Sequence, residues 1–396
     1  MNILFFCAFK PASHTGGTER ATITVATGLK KYYGWNSYAA YICDDDRPDE
    51  ACFEEEYQIN GDKCIRELED LINRLKIDCF IDQGDMKIGA LIDRRRIPEK
   101  TKLFLAYHFE PGWDFRYITK DELKRRYREG SISGKVIAVI KLLLFDVYFR
   151  SEAVKNLKKY YHEAYYNMDH IVLLSKGYIG SFSDIAELKD TDRQKFAVIP
   201  NALTYDSYYP VEKLGDKKKR VLIVSRLDEV QKRLSLALDI WKRVKQEPVA
   251  DDWVLDIVGS GSNEPDYKHK VENEHIKDVV FHGRKDPVKY YEDAAIFMMT
   301  SKSEGWPLTI SEALQFGVVP VVYNTVASFN EMIEDEKTGR LIGDGEEDKY
   351  VEAMLSLMAD VEYRRNLAKQ GIESCKRFET PEIVGKWKEL ISEAEV

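Results

Sequence analysis

Cysteine is scarce and unpatterned in this chain. The six cysteines (Cys7, Cys43, Cys52, Cys64, Cys79 and Cys375) form no C-x-x-C pair and accompany no histidine cluster. That argues against a disulfide scaffold and a structural zinc site, and for a reduced cytoplasmic protein. Cys7, Cys43 and Cys79 lie in apolar, strand-like runs, where a thiol serves as a small core residue. Long hydrophobic runs are also missing. The longest, Val136 to Phe149, is broken by Lys141 and Asp146, and a membrane span needs about 20 apolar residues. The first nine residues are apolar but lack a basic flank, so they read as a buried strand, not a signal peptide. Positive charge is not in excess: 59 Lys and Arg against 68 Asp and Glu leave a net charge of -9, which gives wholesale nucleic-acid binding no support. No repeat of solenoid period and no low-complexity tract is present. Neither a G-x-G-x-x-G dinucleotide fingerprint nor a Walker loop occurs, which disfavours an NAD-dependent oxidoreductase.

What is present fits a large α/β protein. With 396 residues, 44% of them hydrophobic and 12% aromatic, the chain can bury two cores. Short apolar runs at 2–7, 36–43, 78–82, 102–107, 169–174 and 196–199 read as buried strands. Helical spacing lies between several of them, as in Ala21 to Lys31 and Ile65 to Leu75. After the charged stretch Val211 to Arg220 the pattern restarts, with strands expected at 221–225, 253–258, 279–282, 296–300 and 318–322. Strand and helix in alternation imply parallel sheets covered on both faces. Two doubly wound, Rossmann-like domains are therefore expected, 1–205 and 206–377, with a last helix near 378–396 returning to the first. In such sheets ligands bind beyond the carboxyl ends of the strands.

Three loops at those ends could receive an anion. Ser13 to Arg20 contains Gly16 and Gly17 and opens a helix, so its backbone amides can approach a ligand closely. A tight turn that needs glycine explains the same residues. In Val224 to Arg233, Arg226 leaves a strand and Lys232 sits where the next helix begins, an unfavourable place for a cation. A bound diphosphate would reverse that sign; a solvated basic turn is the alternative. In Ser301 to Leu314, Pro307 suits a first helical position, and the residues after Glu304 (Gly305, Trp306, Pro307 and Leu308) could turn backbone N–H groups toward an anion, all but Pro307, which has none. Glu312 could accept two hydrogen bonds from a ribose diol. Thr309 to Glu312 also satisfies the capping-box pattern.

Taken in order, Gly-Gly-Thr-Glu-Arg20, Ser-Arg226-Leu with Gln-Lys232, and Glu304-x7-Glu312 resemble the retaining GT-B glycosyltransferases of family GT4. Val198 to Asn201, Val258 to Gly261, Phe281 to Gly283 and Thr300-Ser301 extend the resemblance, which is strong over 195–345 and weak over 45–165. Ser225 and Ala202 stand where the family usually has glycine. The resemblance implies two domains facing each other across a cleft, and a nucleotide-sugar donor, UDP-sugar ahead of GDP-sugar. Gly16 and Gly17 would abut the donor, Arg226 and Lys232 would clamp its diphosphate, Glu304 and His108 would reach its sugar, and Glu312 would hold its ribose. Neither a cofactor nor a metal is called for; Asp44 to Asp46 is read as a solvated acidic loop and not as the D-x-D metal motif. The expected reaction is transfer to a glycan or lipid-linked acceptor in bacterial surface polysaccharide synthesis. Alternatives on the same scaffold are a nucleotide-sugar epimerase, a phosphorylase, or a non-catalytic partner subunit. Residues 120–160 hold 11 Lys and Arg against 5 Asp and Glu, interleaved with tyrosines. Such a segment suits an anionic membrane surface on the inner face of the plasma membrane; an ordinary core helix with a basic outer face fits it equally.

Overall fold

The computed structural model describes residues 1–12, 16–44, 48–117 and 150–393. It divides into two compact units: Met1–Ile199 with Val384–Val396, and Pro200–Ile383. Among the described residues, no helix is long and apolar enough to cross a membrane.

Unit 1 is built on a parallel sheet of β1 (Asn2–Phe9), β2 (Asn36–Cys43), β3 (Phe53–Gln58), β4 (Cys79–Asp82), β5 (Lys102–Tyr107), β6 (His170–Leu173) and β7 (Phe196–Val198). Their order across the sheet is β3-β2-β1-β4-β5-β6-β7. Ile3 to Cys7 of β1 are buried on both faces of the pleat, as a parallel strand covered by helices requires. The helix Gly17–Tyr33 follows β1. It starts four residues earlier than the apolar spacing suggests, because glycine, threonine and charged residues form its first turn. The last helix, Thr380–Glu393, crosses it closely: a Cβ on Gly28 would stand 2.4 Å from the Val384 side chain. Glycine is what permits that approach.

Unit 2 holds β8 (Arg220–Val224), β9 (Val254–Val258), β10 (Val279–Gly283), β11 (Ile296–Met299), β12 (Val319–Tyr323) and β13 (Arg340–Ile342), ordered β10-β9-β8-β11-β12-β13. Every neighbouring pair is parallel. Trp241, Trp253, Leu255, Ile296, Val321 and Tyr350 lie at the centre of its core. Two strands were not expected from the sequence. β3 reads Phe-Glu-Glu-Glu-Tyr-Gln and β13 has only three residues; each closes one edge of its sheet. Charge and brevity are common at edges, where they discourage further pairing.

In both sheets the strand order reverses beside the first strand, between β1 and β4 in unit 1 and between β8 and β11 in unit 2. Such a reversal sends the two flanking loops apart and opens a crevice past the carboxyl ends of the strands. The loops after β8 and β11 are therefore where a ligand of unit 2 is expected.

Candidate active site

The loop after β8 is held open by its neighbour. Ser225 and Leu227 donate backbone hydrogen bonds to Val258 (3.1 Å) and Ser260 (3.0 Å), and Asn263 donates back to Leu227 (3.3 Å). This ladder needs the glycines after β9. A Cβ on Gly259, whose φ is +143°, would lie 1.8 Å from the Ser225 carbonyl oxygen, and one on Gly261 would lie 2.3 Å from that of Leu227. Past the ladder a single helical turn, Glu229–Lys232, is capped by Asp228, which accepts from the Gln231 amide at 2.9 Å. Arg233 then takes a left-handed conformation (φ 50°) and the helix Leu234–Val244 begins.

The loop after β11 is stitched to this turn. Thr300 Oγ1 donates to the carbonyls of Lys232 (3.0 Å) and Arg233 (3.1 Å), and Arg233 Nε donates to the Thr300 carbonyl (2.7 Å). The Lys302 amide donates to the Gln231 carbonyl at 2.8 Å. These bonds bring Lys232 Nζ to 2.5 Å from Glu304 Oε1, an ion pair with the two side chains only 16% and 8% exposed. Arg226, by contrast, is exposed, and its guanidinium donates to Gln231 Oε1 at 2.6 Å. Three of the expected residues, Arg226, Lys232 and Glu304, are thus gathered at the switch point. The acidic partner of Lys232 comes from the other loop, 72 residues away.

Pro307 is the N-cap of the helix Leu308–Gln315 and not its first residue. Thr309 therefore lies inside the helix, so the capping-box alternative for Glu312 fails. Glu312 is buried instead; its Oε1 accepts from Thr204 (2.8 Å) and its Oε2 from Tyr291 (2.8 Å). Gln315 Nε2 donates to the carbonyls of Tyr205 (2.5 Å) and Ser207 (2.8 Å). Together these two side chains strap the segment entering unit 2 onto this helix. Trp306 is buried with its ring edge-on to Phe378 at 5.1 Å, Leu308 is buried beside it, and Gly305 is partly exposed.

In unit 1, Gly16 caps the first helix without a side-chain bond and Gly17 begins it. A Cβ on Gly17 would meet nothing within 4 Å. Ser13 to Thr15 lie outside the described residues, as do Asp45 and Asp46 and the part of the 120–160 segment before Arg150. Asp44 accepts from the Tyr41 hydroxyl at 3.3 Å. Among the described residues, no group of three or more His, Cys, Asp or Glu is placed to hold a metal ion. His108 follows β5. Its Nε2 meets Gln83 Oε1, and enclosure of the ring lowers its pKa to about 4, so it is neutral. With Nε2 carrying the proton toward Gln83, the enclosed Nδ1 is an acceptor, and it has no partner among the described residues. At the neighbouring strand end, burial pushes the Asp82 carboxyl well above the usual range. Asp114 is raised too, chiefly by burial, while it accepts from Tyr107 (2.8 Å) and Tyr161 (3.1 Å). Asp82 and Gln83 were not singled out in the sequence, and Gln231 entered only beside Lys232 in the motif, with no role of its own. The one hint for the first pair is a polar Asp-Gln-Gly closing an apolar strand.

The fold defines the class: two parallel-sheet α/β units of the GT-B kind. Anabaena HepE, solved in complex with UDP, matches 99% of this chain and 100% of its own with a TM-score of 0.72 at 16% identity, a likeness of fold. Residues 206–374, most of unit 2, match the family model described as Glycosyl transferases group 1. The amylovoran biosynthesis glycosyltransferase AmsD of Erwinia amylovora is 26% identical over 178 residues, 44% of this chain and 49% of AmsD. An α-1,4-N-acetyl-D-galactosaminyltransferase of Campylobacter jejuni, named for a diNAcBac-PP-undecaprenol substrate, is 28% identical over 179 residues, 45% of this chain and 49% of its own. The chain spans about half the length of these curated relatives.

Proposed function

We propose that this chain is a retaining glycosyltransferase of the GT4 type. It moves a sugar from a nucleoside-diphosphate sugar to a glycan or lipid-linked acceptor in bacterial surface polysaccharide synthesis. The observation that carries this reading is the meeting of Arg226, Lys232 and Glu304 at the β8/β11 switch point of a unit that matches the group 1 family. When the bond between the sugar's anomeric carbon and the diphosphate breaks, negative charge builds on the leaving diphosphate. Fixed cations aimed at that charge stabilise the transition state more than the ground state. Among the described residues Arg226 has no acidic partner, and Lys232 can leave Glu304 for a phosphate oxygen, freeing the carboxylate to face the sugar. Glu312 would add the ribose to the bonds it accepts from Thr204 and Tyr291, since a carboxylate accepts several hydrogen bonds. The GT4 resemblance assigns Gly16, Gly17 and His108 to the donor as well. The UDP complex of HepE supports a UDP-sugar as donor, and the names of the curated relatives support a polysaccharide or polyprenol-linked acceptor. The basic, tyrosine-rich segment 120–160 is the part that would meet an anionic membrane surface.

Thermal-shift measurements with UDP, GDP and ADP test the donor assignment, because a ligand that binds only the folded chain raises its melting point. UDP is expected to give the largest rise, and no rise with any nucleoside diphosphate would refute the reading. With an active acceptor, proton NMR of the product is expected to show the donor's anomeric configuration kept. An inverted product would reject the retaining mechanism.

A further inference from the structure

The turn between Arg226 and Lys232 contains a side chain bonded to both site loops. Gln231 Oε1 accepts from Arg226 Nη2 at 2.6 Å, and its Nε2 donates to the Ser303 carbonyl at 3.0 Å. Its backbone is fixed as well, the amide to Asp228 Oδ1 (2.9 Å) and the carbonyl to the Lys302 amide (2.8 Å). One amide side chain therefore spans from the exposed guanidinium to the backbone immediately before Glu304. Both of its ends are needed. The oxygen faces a donor and the nitrogen faces an acceptor, so of the common side chains of this length only glutamine satisfies both.

Its neutrality separates it from the other contact in the site. Lys232 is paired with a carboxylate, which cancels its charge until a ligand arrives. Arg226 is held by a neutral oxygen, which fixes its direction and leaves its full charge for an incoming anion. Glutamate in place of Gln231 would keep the bond to Arg226. It would also cancel the charge and set a carboxylate against the Ser303 carbonyl. We propose that Gln231 is the positioning residue of the diphosphate site: it aims the Arg226 guanidinium without neutralising it. This rests on the diphosphate-clamp reading above and acts entirely through Arg226, so the two can be tested apart.

The test is a double-mutant cycle read by calorimetric titration with UDP. Arg226→Ala is expected to weaken UDP binding roughly 10- to 150-fold, the range for losing a charged hydrogen bond. Gln231→Leu should weaken it about 5-fold in the parent chain and less than about 2-fold when Arg226→Ala is already present, since two groups that act as one do not add. Gln231→Glu should bind UDP more weakly than Gln231→Leu, because it turns the aimed cation into a neutral pair. An equal loss from Gln231→Leu in both backgrounds would make Gln231 a mere strut between loops and overturn the proposal. So would UDP binding by Gln231→Glu at parent strength. A parent chain that binds UDP with an affinity indifferent to Arg226→Ala would instead overturn the clamp itself.

Discussion

In unit 2, Lys232 and Glu304 meet as an ion pair and Arg226 stands exposed beside a neutral amide. In unit 1, His108 after β5 is held neutral by enclosure, while burial raises Asp82 at the end of β4 and Asp114 beyond β5. The loops after β8 and β11 thus carry an ion pair and an exposed cation, whereas burial opposes ionisation at the ends of β4 and β5. Permanent charge suits a diphosphate, whose own charge it must answer. Neutral donors and acceptors can orient a hydroxyl group as well, by direction of the bond and without a net charge. The same sheet-and-helix scheme can thus be tuned toward two chemistries by how deeply its loops enclose their titratable groups.

The largest effect should come from removing charge in unit 2. Arg226→Ala and Lys232→Ala are each expected to lower turnover roughly 10²- to 10³-fold, the scale for one preorganised charge-stabilising donor. Stability should separate them. Arg226 is exposed, so its loss should leave the melting point unchanged. Removing Lys232 takes the 2.5 Å ion pair away from the buried Glu304 carboxylate and should lower the melting point measurably. Calorimetric melting of both variants checks this, and equal melting points would erase the distinction between an open and a paired cation.

Glu312→Gln probes a carboxylate with a structural and a binding task. Losing charge from its bonds to Thr204 and Tyr291 should cost about 1 kcal/mol, and UDP affinity should fall roughly tenfold or more. A lower melting point with unchanged UDP affinity would confine Glu312 to anchoring the entering segment.

Unit 1 should respond to pH instead. The His108 pKa is about 4 in the folded chain and about 6.5 in the unfolded one. As pH falls from 6.5 toward 4, the unfolded chain takes up a proton that the folded chain refuses, so stability is lost across that window. Asp82 acts in the opposite sense: its raised folded pKa gives stability below about pH 4 that is lost as pH rises. Replacing His108 with Gln should remove about 2 kcal/mol of the stability lost between pH 7.5 and pH 5. Chemical denaturation at the two pH values measures it, and an unchanged slope would mean the ring is not enclosed. The smallest expected effect is none at all: with side-chain cations in the site, turnover should survive EDTA. Loss on chelation with recovery by Mn²⁺ or Mg²⁺ would point to a metal at Asp44 to Asp46.

The difference between the units also governed what the sequence could reveal. Buried strands such as β1, β5 and β11 are continuous apolar runs, and their positions could be read directly. β3 could not, because Glu54, Glu55 and Glu56 break any apolar pattern on an edge where charge is tolerated. The site loops of unit 2 were legible as glycine, proline and charge at strand ends. Their meeting was not: Lys232 finds Glu304 only because β11 pairs with β8, and strand order is a property of the whole sheet. Thr309-Ile-Ser-Glu312 shows how a local motif misleads, since the helix starts one residue before the would-be cap. Gln231 stood in the motif without a role, because a neutral residue shows its function only through the partners that the fold brings to it. The shifts at Asp82 and His108 come from burial, which no local spacing encodes.

A structure of the chain with UDP bound tests the division of labour most directly. The diphosphate oxygens are expected within about 3 Å of Arg226 and of Lys232 Nζ, with Lys232 released from Glu304 and Arg226 still held by Gln231. A diphosphate bound away from the β8 and β11 loops, or one that leaves the Lys232–Glu304 pair intact with Arg226 turned to solvent, would contradict it.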